Sequence, residues 1–163
     1  MNPIQCLSLT DLKTDAGTSL AKLDLYYQHF GQALDKAPVV LINHSLTGDS
    51  DVAGQKGWWK ELVGPNKTID TNRYAVLAFN IPGNGVKGQI FSNAKDFHTG
   101  DIALFFLKGL ELLGVSKLHA LVGGSIGGGI AWEMAVMQPQ LAKYIIPVAA
   151  NWKANDWILA NTF

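Results

Sequence analysis

The chain alternates between short continuous apolar runs and segments whose apolar residues recur every three or four positions. Residues 38–44 (PVVLINH) and 74–81 (YAVLAFNI) are apolar runs that end in polar or turn-forming residues, the pattern of strands covered on both faces. Residues 118–122 (LHALV) read the same way, and residues 21–30 (AKLDLYYQHF) alternate as a half-exposed strand does. Helical spacings lie between them. Ile102, Phe105, Phe106 and Leu110 recur on one face, with Thr99 as the expected N-cap, Asp101 in the first turn and Gly114 at C′. Residues 126–137 predict a second helix stopped by Gln138-Pro139, residues 144–150 (YIIPVAA) a further strand, and residues 155–163 the opening of another helix. Pro147 counts against a central place for that last strand, because proline cannot donate to the ladder. Buried strands separated by helices predict an open, mostly parallel α/β sheet, with its chemistry in the loops after the strands.

Three of those loops carry candidate chemistry. Gly123-Gly124-Ser125-Ile126-Gly127 fits G-x-S-x-G, with a buried strand before it and a helix after it. In that setting the serine is a nucleophile on a tight turn, and small neighbours let the strand and helix backbones approach. Gly127, Gly128 and Gly129 each cost about 1 kcal/mol relative to alanine in a helix, so a steric reason is expected for them. The competing reading is a close-packed turn with an incidental serine. The loop 44–50 (HSLTGDS) leaves the third strand, where a second oxyanion donor is expected beside the N–H of Ile126. His44, at that strand end, is either a base or a structural histidine. Gly83–Gly88 (GNGVKG) is a literal G-x-G-x-x-G, but no helical pattern opens on it. It therefore reads as a glycine-rich active-site or surface loop rather than a dinucleotide cradle. Trp58 and Trp59 either line a pocket or pack.

Composition narrows the class. Of 163 residues, 48% are hydrophobic and only 16% charged, which excludes a disordered chain. Thirteen basic residues balance thirteen acidic ones, so no global field attracts nucleic acid or an anionic membrane. The apolar runs fall short of the roughly 20 residues that span a bilayer. The opening MNPIQCLSLTDLKTD has neither a basic start nor a long apolar run, and predicts a soluble cytoplasmic protein without a secretory signal. The lone cysteine, Cys6, cannot form an internal disulfide and is expected to be a small buried hydrophobe. His29, His98 and His119 are scattered, with no metal-ligand spacing.

Taken together, these stretches resemble the homoserine O-acetyltransferase family, enzymes of the α/β-hydrolase fold in methionine biosynthesis. The resemblance rests on NHSLTGDS (43–50), GWW (57–59), the run GPNKTIDTNRY (64–74), FNIPGNG (79–85) and GGSIGG (123–128), all in the family's order. The chain departs from the family's pattern at Ser45, where alanine is usual, and in the PGNG loop. The resemblance implies an α/β-hydrolase-type, mostly parallel sheet with flanking helices, residues 1–163 being the N-terminal part of the catalytic domain. It also implies ping-pong acyl transfer: Ser125 attacks the thioester of acetyl-CoA, the Leu46 and Ile126 N–H groups hold the oxyanion, and the acetyl group passes to the hydroxyl of L-homoserine. Acetyl-CoA enters as co-substrate, with no bound cofactor or metal, and the full-length enzymes are homodimers.

In this fold the triad runs Ser, then Asp or Glu, then His along the chain. No histidine follows Ser125, and the acidic residues after it are Glu133 in the predicted helix and Asp156 near the end. The chain thus reads as stopping before the family's cap and C-terminal strands, with little activity of its own. Other readings are a homoserine O-succinyltransferase, another serine esterase or acyltransferase, and a non-catalytic module of the same fold.

Overall fold

Val39–Asn43 and Ala75–Phe79 are buried at every position, as continuous apolar runs require once both faces of a sheet are covered. In the computed structural model, which describes residues 2–91 and 97–153, they form β3 and β6 at the centre of the main sheet. The other main-sheet strands are β1 (Gln5–Lys13), β2 (Ser19–Gly31), β7 (Leu118–Gly124) and β8 (Ala142–Val148). Their order is β1-β2-β6-β3-β7-β8, antiparallel across β1, β2 and β6 and parallel from β6 to β8. Two short parallel strands, β4 (Val63–Gly64) and β5 (Ile69–Asp70), form a separate pair between β3 and β6 in the chain. The helices are α1 (Thr99–Leu112) and α2 (Ile126–Met137).

Alternation along the strands divides the core in two. Leu41, Leu77 and Leu121 join Phe79, Phe105, Phe106, Ile130 and Met134 in the cluster under both helices. The Phe79 and Phe106 rings lie 5.1 Å apart there, and each buried phenylalanine contributes about 1.5–3 kcal/mol. Val40, Ile42, Val76 and Val122 face the other way, against Val52, Trp59 and Val63 from the excursion between β3 and β6. The two helices thus support the sheet from one side, and the excursion carries its two tryptophans to the other.

Three sequence expectations need correction. The alternation QCLSLTDLK forms β1, which hydrophobic patterning had not marked as a strand. Its inward Leu9 and Leu12 are three residues apart because Asp11 adopts φ +54° and breaks the period of two. Cys6 pairs with Tyr26 on the solvent side of this strand and is exposed rather than buried. Finally, the N-cap of α1 is His98, in extended conformation, and Thr99 is the first helical residue. Asp101 does occupy the first turn, and its carboxylate accepts from the N–H groups of His98 (2.9 Å) and Asp15 (2.8 Å). It so fastens the β1–β2 turn to the helix start. Gly114 takes φ +71° after α1, as its C′ position demands. Pro147 lies in β8, the outermost strand on its side among the described residues. The helix expected over 155–163 lies outside the described residues.

Candidate active site

Ser125 joins β7 to α2 with φ +54° and ψ −122°, a conformation a residue with a Cβ adopts only under constraint. Such strain costs about 1–3 kcal/mol and persists where the surroundings fix it. Here the Ser125 N–H donates to the Val148 carbonyl (2.9 Å), and its own carbonyl accepts from Gly128 (2.9 Å) and Gly129 (3.2 Å). The residue is exposed at the tip of the turn.

The glycines around it have separate reasons. A Cβ on Gly123 would stand 2.1 Å from the Gly127 carbonyl oxygen, and one on Gly127 would stand 2.3 Å from that of Asn43 and 2.5 Å from that of His44. A Cβ on Gly128 would meet the Ala150 methyl at 2.4 Å. Gly129 is the exception, because its nearest contact would be Thr99 Cγ2 at 3.9 Å. Of the three consecutive glycines, only the first two are sterically required.

Close packing of Gly127 on the end of β3 sets Ser125 beside the next loop. Asn43 pairs with Gly123 in register, so the segments carrying Leu46 and Ser125 leave the sheet at one edge. The Gly48 N–H closes a turn onto the Ser45 carbonyl (3.0 Å) around Leu46, which is 68% exposed. The Ile126 and Gly127 amides begin α2, where no intrahelical acceptor exists and the helix dipole favours an anion.

His44 is 2% exposed, and both its ring nitrogens are engaged. Nε2 accepts from the Ile81 N–H (3.0 Å), so the proton sits on Nδ1, which donates to the Ser45 carbonyl (2.7 Å). Burial holds the imidazole below its ordinary titration range, although the Ser45 carbonyl and Asp49 pull the other way. His44 is therefore a structural histidine rather than a base. Elsewhere, His98 caps α1, His119 lies between the rings of Tyr74 (5.0 Å) and Tyr144 (5.4 Å), and His29 sits on β2. Among the described residues none of them hydrogen-bonds Ser125 Oγ.

A buried polar cluster that sequence reasoning missed lies behind the loop. The Ser50 N–H donates to Asn80 Oδ1 (3.0 Å), Asn80 Nδ2 donates to Ser50 Oγ (2.8 Å), and Ser50 Oγ donates to Gln28 Oε1 (2.7 Å). Its only sequence signal is the polar residue that interrupts each apolar setting.

In front of the loop opens a cavity of about 410 Å³, lined among others by Thr47, Asp49, Lys56, Trp58 and Trp59. The two indoles meet edge to face at 5.0 Å, with Trp59 buried and Trp58 62% exposed. A Cβ on Gly124 would stand 2.6 Å from Trp58 and 3.2 Å from Trp59, so both tryptophans reach the Ser125 turn. The glycine loop after β6 makes only a 3-10 turn, Val86–Gly88, with Gly83, Gly85 and Gly88 at positive φ. No α-helix opens on it, so a pyrophosphate cradle lacks its helix. At Cys6, partial burial and the nearby Asp24 push the thiol up, away from reactivity.

The fold as a whole is matched in known proteins. Residues 38–162 fit the family model described as alpha/beta hydrolase fold. The chain belongs to that family. This alpha/beta hydrolase chain is similar to the homoserine O-acetyltransferase of Corynebacterium jeikeium (strain K411), 32% identical over 187 residues that cover 93% of this chain and 45% of that protein. It is also similar to the solved homoserine O-acetyltransferase from Bacillus anthracis, with a TM-score of 0.84 and 27% identity over 94% of this chain and 48% of that one. The solved esterase E22 gives a TM-score of 0.85 and 25% identity over 98% of this chain and 50% of that one. The alpha/beta hydrolase chain thus spans about half the length of these relatives. Among its described residues, no helix is long and apolar enough to cross a membrane.

Proposed function

We propose that this chain carries the nucleophile of an acyltransferase that moves an acetyl group from acetyl-CoA to the hydroxyl of L-homoserine. The observation that carries this reading is the constrained backbone of Ser125 at the start of α2, beside the loop that holds Leu46. Ser125 Oγ attacks the thioester carbon, and the carbonyl oxygen becomes an oxyanion that accepts from the Ile126 and Leu46 N–H groups. One such donor is worth roughly 2.7–4 kcal/mol. Collapse expels the CoA thiolate and leaves acetyl-Ser125. The homoserine hydroxyl then attacks the acetyl carbon, and O-acetylhomoserine departs as the serine is restored. Both steps need a base. With His44 closed by two backbone contacts and no histidine after Ser125, the 163-residue chain alone transfers little or no acetyl.

The likeness to esterase E22 supports a second reading, in which water takes the acyl group from the same acyl-serine. Release of CoA from acetyl-CoA, with and without homoserine, separates the two. The assay is run on the chain alone and on the chain mixed with the C-terminal half of a homoserine O-acetyltransferase. The acyltransferase reading expects homoserine-dependent release only in the mixture, abolished by Ser125→Ala. Robust homoserine acetylation by the chain alone, or release untouched by Ser125→Ala, overturns it.

A further inference from the structure

The loop that holds Leu46 is tied down by one short segment of chain. Residues 80–84, which follow β6, reach it at three separate points. The Ile81 N–H donates to His44 Nε2 at the start of the loop (3.0 Å). Asn84 Nδ2 reaches the Gly48 carbonyl in its middle (3.5 Å). Asn80 exchanges two hydrogen bonds with Ser50 at its end (3.0 and 2.8 Å). Asn84 Nδ2 also approaches Asn80 Oδ1 (3.3 Å), and Gln28 on β2 accepts from the Ser50 hydroxyl (2.7 Å). Asn80 and Ser50 are 2% and 0% exposed, so no water competes for these bonds. Buried side-chain networks of this kind rigidify what they connect when every member is satisfied. Between the fastening points, Ser45 is half-buried, and Leu46 and Thr47 are exposed.

We propose that Asn80, acting through Ser50 and seconded by Asn84, is a positioning residue that fixes the loop bearing Leu46 relative to Ser125. The inference rests on the acyl-transfer reading only for what the fixed loop is used for. Asn80 touches no reacting atom. It sets where a backbone N–H stands, and an oxyanion donor displaced by about an ångström forfeits on the order of a hundredfold in rate.

Two measurements test this, the first on the 163-residue chain. The first is backbone ¹⁵N relaxation. In the wild type, order parameters for residues 45–49 should lie near the rigid value of about 0.85, and in Asn80→Ala they should fall below about 0.6. Those of β7 and α2 should stay unchanged. Loop values that do not move, or a fall shared by the whole chain, overturn the proposal. Should Asn80→Ala not fold, the partly buried Asn84→Ala decides in its place: a fall confined to the loop supports the clamp, and no fall refutes it. The second measurement, made on the chain mixed with the C-terminal half of a homoserine O-acetyltransferase, is single-turnover acetylation of Ser125 by p-nitrophenyl acetate, read as nitrophenolate release. Asn80→Ala should slow the maximal rate on the order of a hundredfold while the half-saturating ester concentration stays put, as for a contact made only in the transition state. An equal loss through the half-saturating concentration refutes positioning. If the wild type releases no nitrophenolate through Ser125, the acyl-transfer reading falls, while the order parameters still decide the clamp.

Discussion

At the scale of single residues, the turn at Ser125 is a contest between glycine's cost and the space it opens. Gly127 rests on the Asn43 and His44 carbonyls with no room for a methyl group, whereas Gly129 faces open contact at 3.9 Å. Gly127→Ala should therefore lower stability by roughly 1–3 kcal/mol, the usual range for overpacking. Gly129→Ala should raise it by up to about 1 kcal/mol by restoring helix propensity. Urea denaturation of both variants checks the pair, and equal losses would mean that the helix start tolerates neither. The sequence was informative at Ser125 because the motif, its apolar approach and its glycines all lie within one short stretch. It was silent about Asn80, Ser50 and Gln28, whose partners stand 22 and 30 positions apart and meet only once the sheet has formed. For Cys6, a preference common to cysteines gave the wrong side of the strand, because pairing with Tyr26 decides which way its side chain points.

At the scale of elements, the helices were easier to delimit than the strands. α2 runs from Ile126 to Met137, between the glycine turn and Gln138-Pro139, as expected. β1 escaped notice because one residue, Asp11, breaks its period. The loop after β3 adds a pH dependence of its own. The folded state holds His44 below its ordinary pKa of 6.5, so folding favours the neutral ring. The unfolded chain then binds the extra proton first, and this contribution is complete above 6.5 and lost as pH falls from there through the folded value. Protonation would also set an N–H of His44 against the N–H of Ile81. Stability by chemical denaturation should decline as pH falls below about 6.5, by at most about 1.4 kcal/mol per pH unit for one proton. His44→Gln should flatten that decline. The lowered carboxyls of Asp24 and Asp70 contribute only at more acid pH, since their ordinary value is 3.8. A slope unchanged in His44→Gln would assign the effect elsewhere.

At the scale of the whole molecule, the sheet is finished at one margin and raw at the other. β1 closes one side with polar residues facing solvent. β8 leaves Tyr144 (48%), Ile146 (46%) and Val148 (40%) exposed on one face and Ile145 (37%) on the other. Apolar side chains on both faces are the signature of a strand built for a sheet interior, and among the described residues no strand pairs with β8 on its outer side, an edge that pairs readily with another chain. The 163-residue chain should therefore associate as concentration rises in sedimentation velocity, and Ile146→Lys should reduce that association. A single monomeric species at every concentration would contradict this.

The contact between Gly127 and Asn43 has a consequence for how the geometry of Ser125 arises. The two residues are 84 positions apart, so the angle at Ser125 is the outcome of a large loop closure. A peptide holding only β7 and α2 would keep their strand and helix preferences, with nothing to press the serine into its strained turn. Ser125 acquires its geometry once β3 and β8 have docked, and what looks in the sequence like a five-residue motif is a property of the assembled sheet.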